Sequence, residues 1–131
     1  MMKWQTTTLE VRDGIALLTL NRPDVLNSLN PQLIADVRAA VAEVAGNREA
    51  RALVITGAGR AFCAGADLAA DGNRGQEGMS IGEGVAYGME TGFNPMMREL
   101  MALEKPTVAA VNGTAAGGGV GLALAADIVI A

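Results

Sequence analysis

ALVITGAGRAFCAGADL, residues 52–68, runs a short, nearly all-apolar stretch into a glycine-bearing turn, and TVAAVNGTAAGGGVGLALAADI, residues 107–128, repeats that pattern. Apolar runs of this length bounded by turn residues suit strands buried on both faces of a parallel sheet. The elements around them fit the same architecture. Residues 7–12 alternate, Asp13-Gly14 is a two-residue type I′ turn signal, and residues 15–20 return, which predicts a hairpin closed by Asn21-Arg22-Pro23-Asp24. A helix follows, capped by Asn30 with Pro31 in its first turn. Leu33, Val37, Ala40, Val41 and Val44 recur at helical spacing until Gly46-Asn47.

Asn94-Pro95 opens a second helix, with Met96, Met97, Leu100, Met101 and Leu103 as its apolar side and Lys105-Pro106 as its stop. After the strand at 107–111 and the turn Asn112-Gly113, the run Gly117-Gly118-Gly119 leads into a small-residue helix through Ala126, and a third strand starts at Asp127. Strands alternating with helices at this spacing give an α/β fold of parallel buried strands with short helical crossovers. Between residues 71 and 92, Gly72, Gly75, Gly78, Gly82, Gly84, Gly88 and Gly92 interrupt periodicity, so this stretch reads as mobile or adapted to a ligand. The last strand is apolar and has no helix to cover it. It is therefore expected either to meet a partner chain or to belong to the front part of something larger.

Composition excludes several classes of function. The 131 residues suit one domain or part of one. With no His, the chain has no Ser/His/Asp or Cys/His nucleophile and no His-ligated zinc site, so catalysis must use carboxylates, backbone dipoles or a cofactor. A net charge of −4 and the scattered aromatics Trp4, Phe62, Tyr87 and Phe93 argue against nucleic acid. No apolar run reaches the roughly 18 residues of a membrane span, a single Cys forms no internal disulfide, and the first 12 residues lack a secretory pattern. A cytoplasmic location is the expectation.

Two sites carry chemistry. In each, a buried strand enters a Gly-rich turn that is expected to begin a helix, and helix amino ends present unpaired N–H groups and positive dipole to anionic oxygen. If the turns lie side by side, one amide from each grips a single carbonyl oxygen, an oxyanion hole in which losing one donor costs about 3 kcal/mol of barrier. From the pattern alone, both turns read more readily as plain tight connections, since isolated glycine patterns are weak signals. No dinucleotide fingerprint fits, because Phe62 stands where the third glycine is needed.

Three blocks, NRPDVLNSLN (residues 21–30), AFCAGADL (61–68) and EKPTVAAVNGTAAGGGVGLALAADIVIA (104–131), resemble in order and spacing the front half of the crotonase superfamily, the enoyl-CoA hydratase/isomerase family. That resemblance implies a crotonase-like spiral of ββα turns, with residues 1–131 as the amino-terminal part of the domain and the carboxyl-terminal part absent. It implies an acyl-CoA thioester as ligand, with coenzyme A entering as part of the substrate and no other cofactor and no metal. The oxyanion donors would be Ala66 and Gly118. Val25 and Leu26, with Ala64, Gly65, Ala66, Asp67 and Leu68, match where the family binds the adenine and pantetheine parts of coenzyme A. The chain is expected to be a homo-oligomer or to pair with its own carboxyl-terminal half.

Hydratases of this family place a catalytic Glu three residues after the second oxyanion glycine, where this chain has Gly121, and the family's second acid lies beyond Ala131. Many isomerases of the family lack the first Glu and use one later carboxylate, so the resemblance favours an isomerase over a hydratase. A catalytically incomplete acyl-CoA-binding subunit and a non-catalytic assembly subunit stand as alternatives. Among the other candidates, Cys63 reads as a small buried residue with no base to activate it. Asp67 reads as tying down the first turn of a helix. Glu99 and Glu104 read as solvent-facing. Met79, Met89, Met96, Met97 and Met101 read as adaptable packing that also suits the wall of an acyl pocket.

Overall fold

The computed structural model describes residues 1–68 and 78–131. Its hairpin is the one expected: β2 (Thr7–Arg12) and β3 (Ile15–Leu20) pair antiparallel from Thr7–Leu20 to Arg12–Ile15. Asp13 and Gly14 both take positive φ, 52° and 82°, as a type I′ turn requires. A two-residue strand, β1 (Met2–Lys3), adds to the outer edge. From β3 onward the pairing is parallel, through β4 (Ala52–Gly57), β6 (Thr107–Ala110) and β8 (Ile128–Ile130), giving a six-stranded sheet in the order β1-β2-β3-β4-β6-β8. A second, two-stranded parallel sheet pairs β5 (Ala61–Cys63) with β7 (Thr114–Ala115). The turns that begin at β4 and β6 thus each contribute a strand to the large sheet, then one to the small sheet, then helix.

Helix α1 (Pro31–Gly46) starts where Asn30 Oδ1 accepts from the Leu33 N–H at 2.8 Å. It buries Leu33, Val37, Ala40, Val41 and Val44 in a core shared with Leu18, Leu20, Leu53, Ile55 and Ala109. Asp36 on the same helix is buried, and its carboxylate accepts from the Thr6 N–H, the Thr6 hydroxyl and Gln32 Nε2. Three donors meet the cost of burying that charge and tie α1 to the start of β2. At the other end, Lys105 Nζ donates to the carbonyls of Val44 and Asn47, serving acceptors that a helix carboxyl end leaves unpaired.

Four expectations need correction. Strands β4 and β6 bury one face fully and the other by half, because among the described residues helices cover only the α1 side well. The part of the 71–92 stretch that is described, from Gly78 on, becomes helical at Ile81. Ser80 and Glu83 form a capping box for α2 (Ile81–Gly88), which tolerates Gly82, Gly84 and Gly88. Residues 71–77 lie outside the described set. No new helix opens at Asn94-Pro95. Instead α2 continues through one widened turn (Met89–Phe93), closed by the Asn94 N–H donating to Met89 O, into α3 (Asn94–Ala102). Lastly, the closing helix α4 (Gly118–Leu124) is shorter than expected, and β8 after it is exposed along its length. Among the described residues no helix is long and apolar enough to cross a membrane.

Candidate functional site

The parallel pairing of β5 with β7 sets the two Gly-rich turns against each other. Ala116 N–H donates to Cys63 O at 3.1 Å, extending the ladder past Ala115. The chains approach so closely that a methyl on Gly119 would lie 2.0 Å from Cys63 O, a separation that excludes every other residue. Gly65 has φ +97°, and a methyl there would lie 2.8 Å from Ala116 O and 3.4 Å from Gly118 N. Glycine is therefore needed at 65 for both conformation and space. The residues expected on opposite sides of one site are brought together.

The NRPD segment joins them by main-chain bonds. Ala64 N–H donates to Leu26 O at 3.0 Å, Leu29 N–H to Gly65 O at 2.7 Å, and Asp67 N–H to Leu29 O at 2.8 Å. In such a parallel bridge, Leu29 uses the groups flanking Ala66 and leaves the Ala66 N–H directed to the other side. Leu26 and Asn27 hold positive φ, 56° and 55°, conformations that cost L-residues about 1–2 kcal/mol each. The fully buried Asn27 side chain holds them in place. Its Oδ1 accepts from Arg22 N–H at 2.8 Å, and its Nδ2 donates to the carbonyls of Ala58 at 2.9 Å and Ala61 at 3.0 Å.

Asp67 sits elsewhere than expected. Through Leu68 the chain is strand and turn, without the helix anticipated there, and Asp67 Oδ2 accepts from Arg22 at 3.0 Å. The carboxylate locks the NRPD loop to the AGAD turn. Cys63 is fully buried, and burial pushes its thiol pKa up, partly offset by the Gly65 backbone hydrogen bond. That agrees with an inert core position. Glu99 does not stand free in solvent but takes a two-pronged ion pair from Arg38, with Nη2 at 2.6 Å and Nε at 2.9 Å. Val25 is exposed and Leu26 half-buried, and neither lines the cavity that Ala66 and Gly118 share.

Ala66 and Gly118 both face a cavity of about 240 Å³, whose other walls include Leu29, Ile34, Val85 and Phe93. Neither the Ala66 nor the Gly118 amide donates to any acceptor among the described residues. The reasons differ: Ala66 is freed by the bridge, whereas Gly118 is the first residue of α4 and has no preceding helical carbonyl. Chemically, such a pair of amides in apolar surroundings is suited to gripping one oxygen that gains negative charge. No carboxylate lines this cavity among the described residues, nor do they gather three or more His, Cys, Asp or Glu around a point that could hold a metal.

Several contributors were missed in the sequence. Arg22, Asn27 and Asn112 act through long-range contacts, with Asn112 Oδ1 accepting from the Gly57 N–H and Nδ2 donating to the carbonyls of Gly59 and Ala61. Nothing local marks these roles. Val85 and Phe93 were hidden by the glycines around them, although Ser80-x-x-Glu83 is a readable helix start. Of the methionines, Met89 lines the cavity and Met96 is buried in the core, while Met101 points outward.

Comparison with known proteins identifies the family. Residues 10–131 match the enoyl-CoA hydratase/isomerase family. A probable enoyl-CoA hydratase of Rhodobacter capsulatus is 43% identical over 130 residues, covering 99% of this chain and 47% of that protein. The 1,2-epoxyphenylacetyl-CoA isomerase of Escherichia coli is 43% identical over 121 residues, 92% of this chain and 45% of that one. Among solved structures, an enoyl-CoA hydratase of Mycobacterium avium subsp. paratuberculosis superposes with a TM-score of 0.78 at 33% identity, over 98% of this chain and 48% of that one. The chain thus spans about half the length of the curated relatives it matches. Its alternation of large-sheet strand, small-sheet strand and helix is the crotonase architecture, and the chain belongs to the enoyl-CoA hydratase/isomerase family.

Proposed function

We propose that this chain forms the acyl-CoA thioester-binding part of an enoyl-CoA hydratase or isomerase, with the Ala66 and Gly118 amides stabilising the thioester oxygen as it becomes enolate. The observation that carries the reading is two unpaired amides from adjacent turns facing one apolar cavity. A thioester α-proton becomes acidic enough to move only if charge on the oxygen is stabilised, and two fixed N–H groups do this without reorganising at the moment of reaction. In that step the α-C–H bond breaks, its electron pair passes into the enolate, and the proton goes to a base outside the described lining. Val25, Leu26 and residues 64–68 are the proposed seat of the coenzyme A portion.

Isomerisation is favoured over hydration. A side chain starting at Gly121 would emerge 3.6 Å from Phe93 Cζ and 3.9 Å from Met97 Cε, so the position opens onto hydrocarbon and carries no proton-transfer group. The same lack of a carboxylate favours a second reading, a subunit that binds the thioester without turnover.

Proton NMR of acyl-CoA in D₂O separates the readings. Loss of the α-proton signal catalysed by the protein supports the enzyme. Saturable binding without exchange supports the binding subunit. Absence of binding at millimolar thioester refutes both.

A further inference from the structure

One continuous helical run supplies the outer wall of the cavity. Gly84, Met96 and Leu100 are buried, and Gly88 and Gly92 are half-buried, so positions four apart turn toward the core. Residues one step further on, Val85, Met89 and Phe93, line the cavity. An unbroken α-helix drifts about 40° over each four residues, since 3.6 make a turn. The widened turn at Met89–Phe93 takes about one extra residue and so offsets the drift built up before it, which keeps Phe93 on the cavity side.

Phe93 occupies a particular place in that wall. Its ring atoms Cε2 and Cζ lie 3.2 and 3.6 Å from where a Gly118 β-carbon would stand, and Cζ lies 3.6 Å from the corresponding point on Gly121. The ring therefore closes the cavity on the α4 side, beside one of the two free amides, and fills the space over Gly121 and Met97. No charged side chain joins the lining among the described residues.

We propose that Phe93 is the specificity-determining residue of this site, selecting thioesters whose acyl group is uncharged and slender near the carbonyl, with the tail lying along Val85 and Met89. This rests on the thioester reading above and adds the class of acyl group. A carboxylate on the tail would lose its water and find no partner in the described wall, whereas hydrocarbon is favoured there. Removing the ring joins the cavity to the space over Gly121, so a broad acyl group then fits. One extra methylene in an apolar pocket is worth on the order of tenfold or more in discrimination, and a ring should exceed that.

The test is calorimetric titration of wild-type, Phe93→Ala and Phe93→Trp protein with free coenzyme A, butyryl-CoA, succinyl-CoA and phenylacetyl-CoA. Wild type should bind butyryl-CoA at least about tenfold more tightly than succinyl-CoA. Phe93→Ala should raise the affinity for phenylacetyl-CoA relative to butyryl-CoA by about tenfold, and Phe93→Trp should lower it, with free coenzyme A unchanged in both. Because Phe93 is half-buried, Phe93→Leu replaces the alanine variant if that one fails to fold, with a smaller shift of the same sign. Unchanged acyl preference in the variants, or equal binding of succinyl-CoA and butyryl-CoA by wild type, overturns the role of Phe93 while the thioester reading stands. No binding of any thioester by wild type overturns the thioester reading itself.

Discussion

Replacing Gly65 with alanine should damage the site more than any other change of one methyl group that still permits folding. At φ +97° an L-residue is strained by about 1–3 kcal/mol. The new methyl would stand 2.8 Å from Ala116 O, some 0.6 Å inside the 3.4 Å at which ordinary contact begins, and its neighbour is main chain that cannot swing aside. Overpacking of this kind costs about 1–3 kcal/mol. Together a loss of roughly 2–6 kcal/mol is expected, a fall of about 10–20 °C in thermal midpoint. The strain relaxes by pushing the 116–118 segment away, and with it the Gly118 amide, 3.4 Å from the same methyl. Misplacing a group by about 1 Å can cost 100-fold in rate, so exchange of thioester α-protons should fall by about that factor at a temperature where the variant is still folded. Gly121→Ala is the control. Its methyl meets nothing closer than 3.6 Å and replaces glycine inside α4, so stability should rise by about 0.5–1 kcal/mol. If Gly65→Ala melts and exchanges like wild type, the two turns do not touch as described and the argument for a shared oxygen fails.

Thr7 should be better as valine: its hydroxyl is buried without a hydrogen-bond partner among the described residues, so Thr7→Val should gain up to about 1 kcal/mol in urea unfolding, and a loss would mean the hydroxyl has a partner after all. Cys63 should resist alkylation in the native state, because burial holds its thiol protonated and shielded, and should react only on unfolding; rapid labelling of folded protein contradicts that placement. The Arg38 hydrogen bond holds the Glu99 carboxyl below its usual range. Its stabilisation is therefore fully present above the ordinary Glu range and lost as pH falls through the lowered value. Since the pair is about two-fifths exposed, Glu99→Gln should cost under about 1 kcal/mol at neutral pH and nothing in acid, and a larger deficit in acid than at neutral pH contradicts the sign.

Elements that depend on neighbours in sequence were legible before any coordinates. Asp13-Gly14 specifies its own turn geometry, Asn30 and Pro31 specify the start of α1, and the apolar runs at 52–57 and 107–110 specify strands, because each acts through its own backbone. The 78–93 stretch was misread for a physical reason. Glycine lowers helix propensity by about 1 kcal/mol per residue, but the capping box and continuity with α3 outweigh that cost, and neither shows in a count of glycines. Asp67 was misread because its partner, Arg22, is 45 residues away. Of the proposed donors, Gly118 was reachable from its glycine run. Ala66 came from the family resemblance; the helix expected to begin at its turn is not there, and its amide is left undonated among the described residues by a bridge to Leu29 that only the fold creates.

How the turns satisfy their main chain is informative in itself. Buried backbone groups are paired in more than about 90% of cases, and these turns follow that rule with unusual side-chain help. Asn27 and Asn112 between them meet the carbonyls of Ala58, Gly59 and Ala61 and the amides of Arg22 and Gly57. Leu26 and Asn27 accept left-handed conformations to allow the bonds to Ala64 and Gly65. A chain that accepts strain to pair so many groups, yet among the described residues leaves the Ala66 and Gly118 amides undonated where their turns meet an apolar cavity, fits the proposal that those two N–H groups serve an oxygen from outside. Filling either one from within distinguishes that account from mere tight packing. Gly118→Pro removes the amide at the first residue of α4, where proline suits the helical backbone; its Cβ would stand 3.0 Å from Leu29 Cδ1 and 3.2 Å from Phe93 Cε2, so those side chains must shift by a few tenths of an ångström, and the fold should survive while α-proton exchange is lost. A folded proline variant that still exchanges α-protons at the wild-type rate would show that Gly118 is spacing and not chemistry.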